Sequence, residues 1–278
     1  MEASQIICGS FEENAILTGV SDTIIVKQKD GTYKSTPFLV CFGPYLSTHK
    51  DEPVQIIING TLVPEVKFSL DYKGYIHPQQ LSDREIRKLH LNFGVNKVVY
   101  QLEGCSIEAE IYLYASNDKL VVSDVDGTVT KNDIGGHINN FFEKDYLHEG
   151  YADLSKRIDQ NGYKIVWLTM RALPLYNYSK SYLKRMVGVD GPIMMEPEEF
   201  MRALSKELMK KTGNIKANMM NLLNGLFTSN PFMAGLGNRE NDAVAYLHAG
   251  VSLEKIFIID TKSRVQIMSE GKNYTSYT

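Results

Sequence analysis

An apolar, β-branched run that breaks straight into two carboxylates constrains this chain more than any other feature. Lys119-Leu-Val-Val-Ser-Asp124-Val-Asp126-Gly127-Thr128-Val-Thr-Lys131 opens, over Leu120 to Val122, as a fully buried parallel strand does. Such a strand cannot carry two near-adjacent aspartates in its middle, because unpaired buried charge is costly. Asp124 and Asp126 therefore belong where the strand ends and the chain turns at Gly127. In open α/β sheets, ligands bind at that place, beyond the carboxyl ends of the strands. Two residues apart in extended chain, both carboxylates leave from one face and repel each other, and a cation is the usual remedy. A bare Asp-x-Asp is more often a turn with surface carboxylates. Here the buried strand before it and the Gly-Thr after it favour a site.

The bulk composition narrows the function classes. The 278 residues suffice for two domains, and 43% hydrophobic content is enough to bury real cores. A net charge of −3 lacks the basic excess of a nucleic-acid-binding protein and argues against wholesale electrostatic adhesion to anionic membranes. Cys8, Cys41 and Cys105 are odd in number and without metal-type spacing, so they read as free thiols in a reducing compartment. No apolar run approaches the ~20 residues of a bilayer span. The first residues lack the basic start and apolar centre of a secretion signal. The expectation is a protein that is soluble or peripherally attached.

Along the chain, the rhythm changes once. In residues 2 to 17, Ile7, Phe11 and Ala15 fall at four-residue steps with Ile6 beside them, as in a short amphipathic helix. Glu12 and Glu13 and the lack of a basic face suit packing on a neighbouring domain, or a frayed end, as well as a membrane surface. Strands are expected at Thr23–Gln28, Phe38–Phe42, Val54–Ile58, Glu65–Leu70, Asn96–Leu102 and Ser106–Tyr114, with turns at Asp30-Gly31 and Asn59-Gly60. With a polar stretch over Asp83 to Lys88 and few helices between them, they suggest an antiparallel β-sandwich. His49, His77 and His90 are isolated and read as structural or solvent-facing.

From Ser116 strands and helices alternate, which argues a parallel sheet with helices on both faces. Helices are expected at His137–Phe142, Tyr151–Gln160, Glu198–Lys211, Ile215–Leu226 and Ala243–His248, and strands at Tyr163–Leu168, Pro192–Met195, Pro231–Leu236 and Lys255–Ile259. The strand to Leu168 ends in Thr169-Met-Arg171, a hydroxyl and a fork of donors suited to phosphoryl oxygens. The strand to Leu236 ends in Gly237-Asn-Arg-Glu-Asn-Asp242, a further polar strand end. Asp260-Thr261 reads as a turn. Only 40 residues lie between Thr128 and Thr169, too few for a large lid domain, which suits a substrate that is itself large or embedded in a surface.

Asp124-Val-Asp126-Gly127-Thr128 after a buried strand resembles the nucleophile motif of the haloacid dehalogenase superfamily of phosphotransferases. The longer stretch Ser123 to Lys131, followed by Gly136-His137, looks like the catalytic domain of the lipins, the magnesium-dependent phosphatidate phosphatases. The hairpin around Asp30-Gly31 through Phe42-Gly43 resembles their N-terminal conserved region. Ile107-Glu-Ala-Glu-Ile-Tyr-Leu-Tyr114 is similar to the strand leading into their catalytic domain. The resemblance implies a membrane-contacting helix over residues 1–17 and an immunoglobulin-like antiparallel β-sandwich over 18–115. Over 116–278 it implies a capless haloacid-dehalogenase-like Rossmannoid α/β domain.

It also implies roles. Asp124 is the nucleophile, Asp126 the general acid and base, and Thr169 and Lys216 position and neutralise the phosphoryl group. Mg²⁺ is held by Asp124, the Asp126 carbonyl and Asp242, with Asn238 standing where many members of the superfamily carry a second acid. Thr128, Arg171 and Arg239 are implied substrate contacts. The partner is phosphatidate in a membrane, reached peripherally from the cytoplasm at the endoplasmic reticulum or nuclear membrane. The residues alone say magnesium-dependent phosphoryl transfer. A phosphoprotein phosphatase of the same superfamily and a non-catalytic phosphatidate-binding module remain the alternatives. Retention of both Asp124 and Asp126 favours an enzyme.

Overall fold

The computed structural model of the chain describes residues 18–43, 53–102, 104–131, 147–195, 215–270 and 274–275. The helices expected at 2–17, 137–142 and 198–211 lie outside these residues, as does His49.

In chain order, the first part comprises β1 (Gly19–Val20), β2 (Thr23–Lys27), β3 (Tyr33–Ser35), β4 (Val40–Cys41), β5 (Gln55–Ile58), β6 (Thr61–Leu62), β7 (Ser69–Leu70) and β8 (Ile76–His77). Helix α1 (Asp83–Lys88), β9 (Gly94–Leu102) and β10 (Cys105–Ala115) complete it. One sheet has the order β3-β2-β10-β9-β5-β6, and β1–β4 and β7–β8 form two-stranded ribbons. The Asn59-Gly60 turn joins β5 to β6 with φ of 50° and 83°, the double positive φ that a tight two-residue hairpin demands.

Two expectations need correction here. β2 runs parallel to β10, pairing Thr23 with Ile111 and Lys27 with Ala115, so the sheet is mixed rather than antiparallel throughout. No hairpin sets the mutual direction of two strands so far apart in sequence, and local pattern carries no signal for it. The polar stretch at Asp83 to Lys88 is a helix. The Ser82 hydroxyl accepts from the Glu85 N–H, and the Glu85 carboxylate accepts from the Ser82 N–H at 2.8 Å, a capping box spelled out by Ser-x-x-Glu. His77 and His90 are exposed, and Cys41 and Cys105 are buried.

The second part comprises β11 (Leu120–Asp124), α2 (Tyr151–Gln160), β12 (Lys164–Thr169), α3 (Tyr176–Met186), β13 (Ile193–Met195) and α4 (Ile215–Leu226). β14 (Phe232–Gly237), α5 (Glu240–His248), β15 (Ile256–Ile259), β16 (Val265–Ile267) and β17 (Tyr274–Thr275) follow. The sheet order is β13-β12-β11-β14-β15-β16-β17. The strands from β13 to β15 are parallel, and β16 and β17 close one edge antiparallel. After β11 the chain builds outward to one side through β12 and β13, then returns to the other side of β11 as β14. The crevice at the carboxyl ends of β11 and β14 is therefore a topological switch point.

Strand alternation feeds two cores. Leu120, Val122, Val166 and Leu168 face Met220 and Leu223 of α4 and Tyr246 of α5, together with Ile24 and Tyr112 of the first part. Val121, Ile165 and Trp167 face Tyr151 and Leu183 in a core continuous with that of the first sheet. The two parts are also hydrogen-bonded. Ser21 Oγ accepts from the Met195 N–H at 3.0 Å, and Gln28 Nε2 donates to the Leu226 carbonyl at 2.9 Å. Between them lies a buried charge cluster. Lys180 Nζ on α3 lies 2.6 Å from Asp22 Oδ2 and 2.8 Å from Glu110 Oε2, and it donates to the Gly191 carbonyl at 2.8 Å.

Candidate active site

β11 delivers Asp124 to the switch point with every residue of the strand buried. Gly127 makes the turn that follows. Its φ is 82°, and a Cβ there would sit 1.9 Å from the Asn238 amide, so both backbone and neighbour require glycine. Behind the strand, Trp167 Nε1 donates to the Tyr151 hydroxyl at 3.1 Å. That hydroxyl donates to Ser123 Oγ at 2.8 Å, and Ser123 Oγ donates to the Asp124 carbonyl at 2.9 Å. This buried chain of donors fixes the strand end from below.

Around the Asp124 carboxylate the other strand ends converge. Lys216, in the first turn of α4, places Nζ 2.6 Å from Asp124 Oδ1 and 2.5 Å from Asp242 Oδ1. Thr128 Oγ1 donates to Asp124 Oδ2 at 3.1 Å. Asp242, in the first turn of α5, accepts the Asn238 and Arg239 N–H groups on Oδ2 at 3.1 and 3.0 Å. It thereby starts the helix three residues earlier than the apolar pattern suggested. Gly237 permits this approach, because a Cβ there would meet Asp242 Cβ at 2.5 Å.

The electrostatics follow from burial. Desolvation pushes the Asp124 carboxyl up to about 6; Lys216 opposes that rise, while Asp242 and Asp126 add to it. Burial alone would lower Lys216, but the two aspartates outweigh it and hold its ammonium above the ordinary lysine range. The pair is thus a charged couple, with Lys216 bridging the two acids on their Oδ1 edges.

The Oδ2 edges suit a cation. With its amide nitrogen turned toward the acids, Asn238 donates to Asp124 Oδ2 and Asp242 Oδ2, each at 3.2 Å. With its oxygen there instead, Asn238 becomes a third oxygen beside two carboxylates, an arrangement that a hard divalent ion satisfies. Among the described residues no three His, Cys, Asp or Glu side chains group to hold a metal. Such an ion would therefore rest on two carboxylates, the Asn238 amide and main-chain oxygen.

Asp126 is held differently. Thr169 Oγ1 donates to its Oδ2 at 3.1 Å. Arg171 Nε lies 3.2 and 3.1 Å from Oδ1 and Oδ2, and Arg171 Nη2 lies 2.6 Å from Oδ1. Thr169 and Arg171 were expected to face phosphoryl oxygens; both grip Asp126. Eight of the nine expected residues thus fall into two contact groups: Asp124, Thr128, Lys216, Asn238 and Asp242 in one, and Asp126, Thr169 and Arg171 in the other. Arg239 is exposed and is tied to the site through its main-chain N–H.

Two contributors went unread. His148 is buried, with Nε2 3.3 Å from the Gly127 carbonyl and Nδ1 2.8 Å from Ser263 Oγ. A carbonyl only accepts, so Nε2 carries the proton and Nδ1 accepts from Ser263. Burial lowers the His148 pKa, in keeping with this neutral form. Ser179 on α3 is the other. No local pattern marks either residue, since a lone histidine or serine acquires meaning only from the loop it touches in space. Asp260 is a turn residue as read, accepting the Lys262 and Arg264 N–H groups at 2.9 Å.

Residues 77–278 match the family model described as LNS2 (Lipin/Ned1/Smp2), and residues 6–93 match the lipin N-terminal conserved region. The chain belongs to the lipin family. Phosphatidate phosphatase LPIN1 of Homo sapiens is 34% identical over 211 residues, which cover 71% of this chain and 24% of that one. Phosphatidate phosphatase LPIN2 of Homo sapiens is 36% identical over 212 residues, covering 71% and 24%. Phosphatidic acid phosphohydrolase 1 of Saccharomyces cerevisiae is 30% identical over 215 residues, covering 70% and 25%. The chain spans about a quarter of the length of these curated relatives. A solved structure, the cobalt-bound deoxy-D-mannose-octulosonate 8-phosphate phosphatase of Haemophilus influenzae, is 14% identical, covering 49% of this chain and 91% of that one. Its TM-score is 0.26, too low to bear on the argument.

Proposed function

We propose that this lipin-family chain is a magnesium-dependent phosphatidate phosphatase, releasing diacylglycerol and phosphate through an aspartyl-phosphate. The observation that carries this is the convergence of Asp124, Lys216 and Asp242 at one strand-end crevice, with the lysine Nζ 2.6 Å from one acid and 2.5 Å from the other. The lipin-type names of its relatives supply the substrate.

In the first step an Asp124 oxygen forms a bond to phosphorus, the ester P–O bond breaks, and the leaving alkoxide takes a proton from Asp126. In the second, a water oxygen attacks phosphorus, the bond to Asp124 breaks, and Asp126 takes the water's proton. Lys216, anchored on both acids, sets a fixed positive charge where phosphoryl oxygens gather. Thr128 holds the Asp124 carboxylate in register, and exposed Arg239 offers a donor fork to the head group at the rim. Mg²⁺, on Asp124, Asp242, Asn238 and the Asp126 carbonyl, would supply charge screening between nucleophile and phosphate.

In this reading, residues 116–278 are a capless haloacid-dehalogenase-like domain, and residues 18–115 fold in the immunoglobulin-like manner. The same reading has the protein engage the bilayer peripherally, at the endoplasmic reticulum or nuclear envelope; no helix among the described residues is long and apolar enough to cross a membrane. The test is phosphate release from phosphatidate in liposomes, with and without magnesium, beside a phosphopeptide. Magnesium-dependent turnover of phosphatidate over phosphopeptide is expected. Preference for the phosphopeptide, or full activity in Asp124→Asn, overturns the reading.

A further inference from the structure

We propose that Arg171 and Ser179 are positioning residues that orient the Asp126 carboxylate for proton transfer, rather than ligands of the substrate phosphate. The proposal rests on the reading of Asp126 as acid and base. Arg171 leaves the chain two residues past Thr169, the last residue of β12, and turns back onto Asp126 with Nε on both carboxylate oxygens and Nη2 on Oδ1 at 2.6 Å. The remaining arm, Nη1, donates to Ser179 Oγ at 2.8 Å. Ser179 is fully buried, and its neighbour Lys180 is locked to Asp22 and Glu110. The guanidinium is therefore held at both ends, and its side chain is only 8% exposed, against 19% for Asp126.

A carboxylate's terminal torsion is soft and two-fold, so an isolated Asp126 would sample many orientations. Proton transfer requires heavy atoms within hydrogen-bond reach. Thr169 adds a third fixed point, donating to Asp126 Oδ2 at 3.1 Å while accepting the Arg171 N–H at 3.2 Å. The Asp126 carboxylate is thus clamped from the protein side while 19% of its side chain stays exposed. A substrate-gripping arginine would instead point its fork into the crevice.

The two roles separate by leaving group. An alkoxide needs a proton as it departs, whereas p-nitrophenolate does not. The kcat/KM values for phosphatidate and p-nitrophenyl phosphate report events up to that departure, before the common second step. Arg171→Ala and the milder Ser179→Ala should both lower kcat/KM for phosphatidate, by about tenfold or more for Arg171→Ala, a share of what general acid catalysis supplies. They should leave that for p-nitrophenyl phosphate within about threefold of wild type. Inhibition of phosphatidate hydrolysis by orthovanadate, a phosphoryl mimic with no leaving group, should be retained, and this readout decides where the aryl ester is refused. Equal losses on both substrates, or loss of vanadate inhibition, overturn the proposal.

Asp126→Asn is the control. If it shows the selective loss and Arg171→Ala does not, positioning fails and the mechanism stands. If Asp126→Asn shows no selectivity, the acid–base reading itself fails.

Discussion

Replacing Lys180 by methionine should uncouple the two parts of this protein. Lys180 Nζ lies 2.6 Å from Asp22 and 2.8 Å from Glu110, in a cluster where the Asp22 side chain is fully buried and that of Lys180 is 9% exposed. Methionine keeps most of the side chain's volume and removes only the charge. Glu110 retains Lys184 at 2.5 Å, so the carboxylate left uncompensated is Asp22. Asp22 keeps the Glu110 and Ile193 N–H groups, at 3.0 and 2.8 Å, and the Tyr176 hydroxyl. Breaking one side of a buried ion pair costs about 3–5 kcal/mol, and these surviving bonds place the expected loss near the lower figure. Urea unfolding, followed by circular dichroism, reads it as a lower midpoint. Adding Asp22→Asn should recover part of the loss, with a coupling of about 0.5–3 kcal/mol. A Lys180→Met midpoint equivalent to wild type within about 1 kcal/mol, or strict additivity in the double variant, would refute the claim that this cluster joins the two parts.

Gly127→Ala should reduce turnover sharply while leaving most of the secondary structure, because the new methyl collides with Asn238 at a φ of 82°; phosphate release and circular dichroism check both halves. The Asp124 pKa, pushed up to about 6 chiefly by burial, makes its ionised form a burden on the metal-free fold. That contribution is fully favourable below the ordinary 3.8 and is lost as pH rises through about 6. In chelator, the melting temperature of wild type should therefore fall more between these pH values than that of Asp124→Asn. Parallel curves would contradict it.

Much of the site was legible because its residues sit at strand ends, where apolar runs break into polar residues. The breaks at Asp124, Thr169 and Asp242 each identify a position on the same rim, and the alternation of strands with helices argues for one parallel sheet. What the residues do to one another was less legible. Arg171 reads as a phosphate ligand from its place after β12, but only the fold brings Asp126 within its reach. Helix α3 escaped notice because its buried face carries Ser179 and Lys180, which interrupt the apolar stripe. α1 was spelled out by its capping box, yet its short length and polar residues resemble a loop. The antiparallel edge of β16 and β17 and the parallel pairing of β2 with β10 depend on long-range closure, to which local sequence is blind.

The most direct test of the account is where phosphorus goes during turnover. Radiolabelled phosphatidate is mixed with the protein and magnesium, the reaction is quenched in acid, and the peptides are mapped. Acid-stable, hydroxylamine-sensitive label is expected on the peptide bearing Asp124, and more of it in Asp126→Asn given radiolabelled p-nitrophenyl phosphate, where the second step lacks its base. Label on another residue, or turnover in Asp124→Asn, would contradict it.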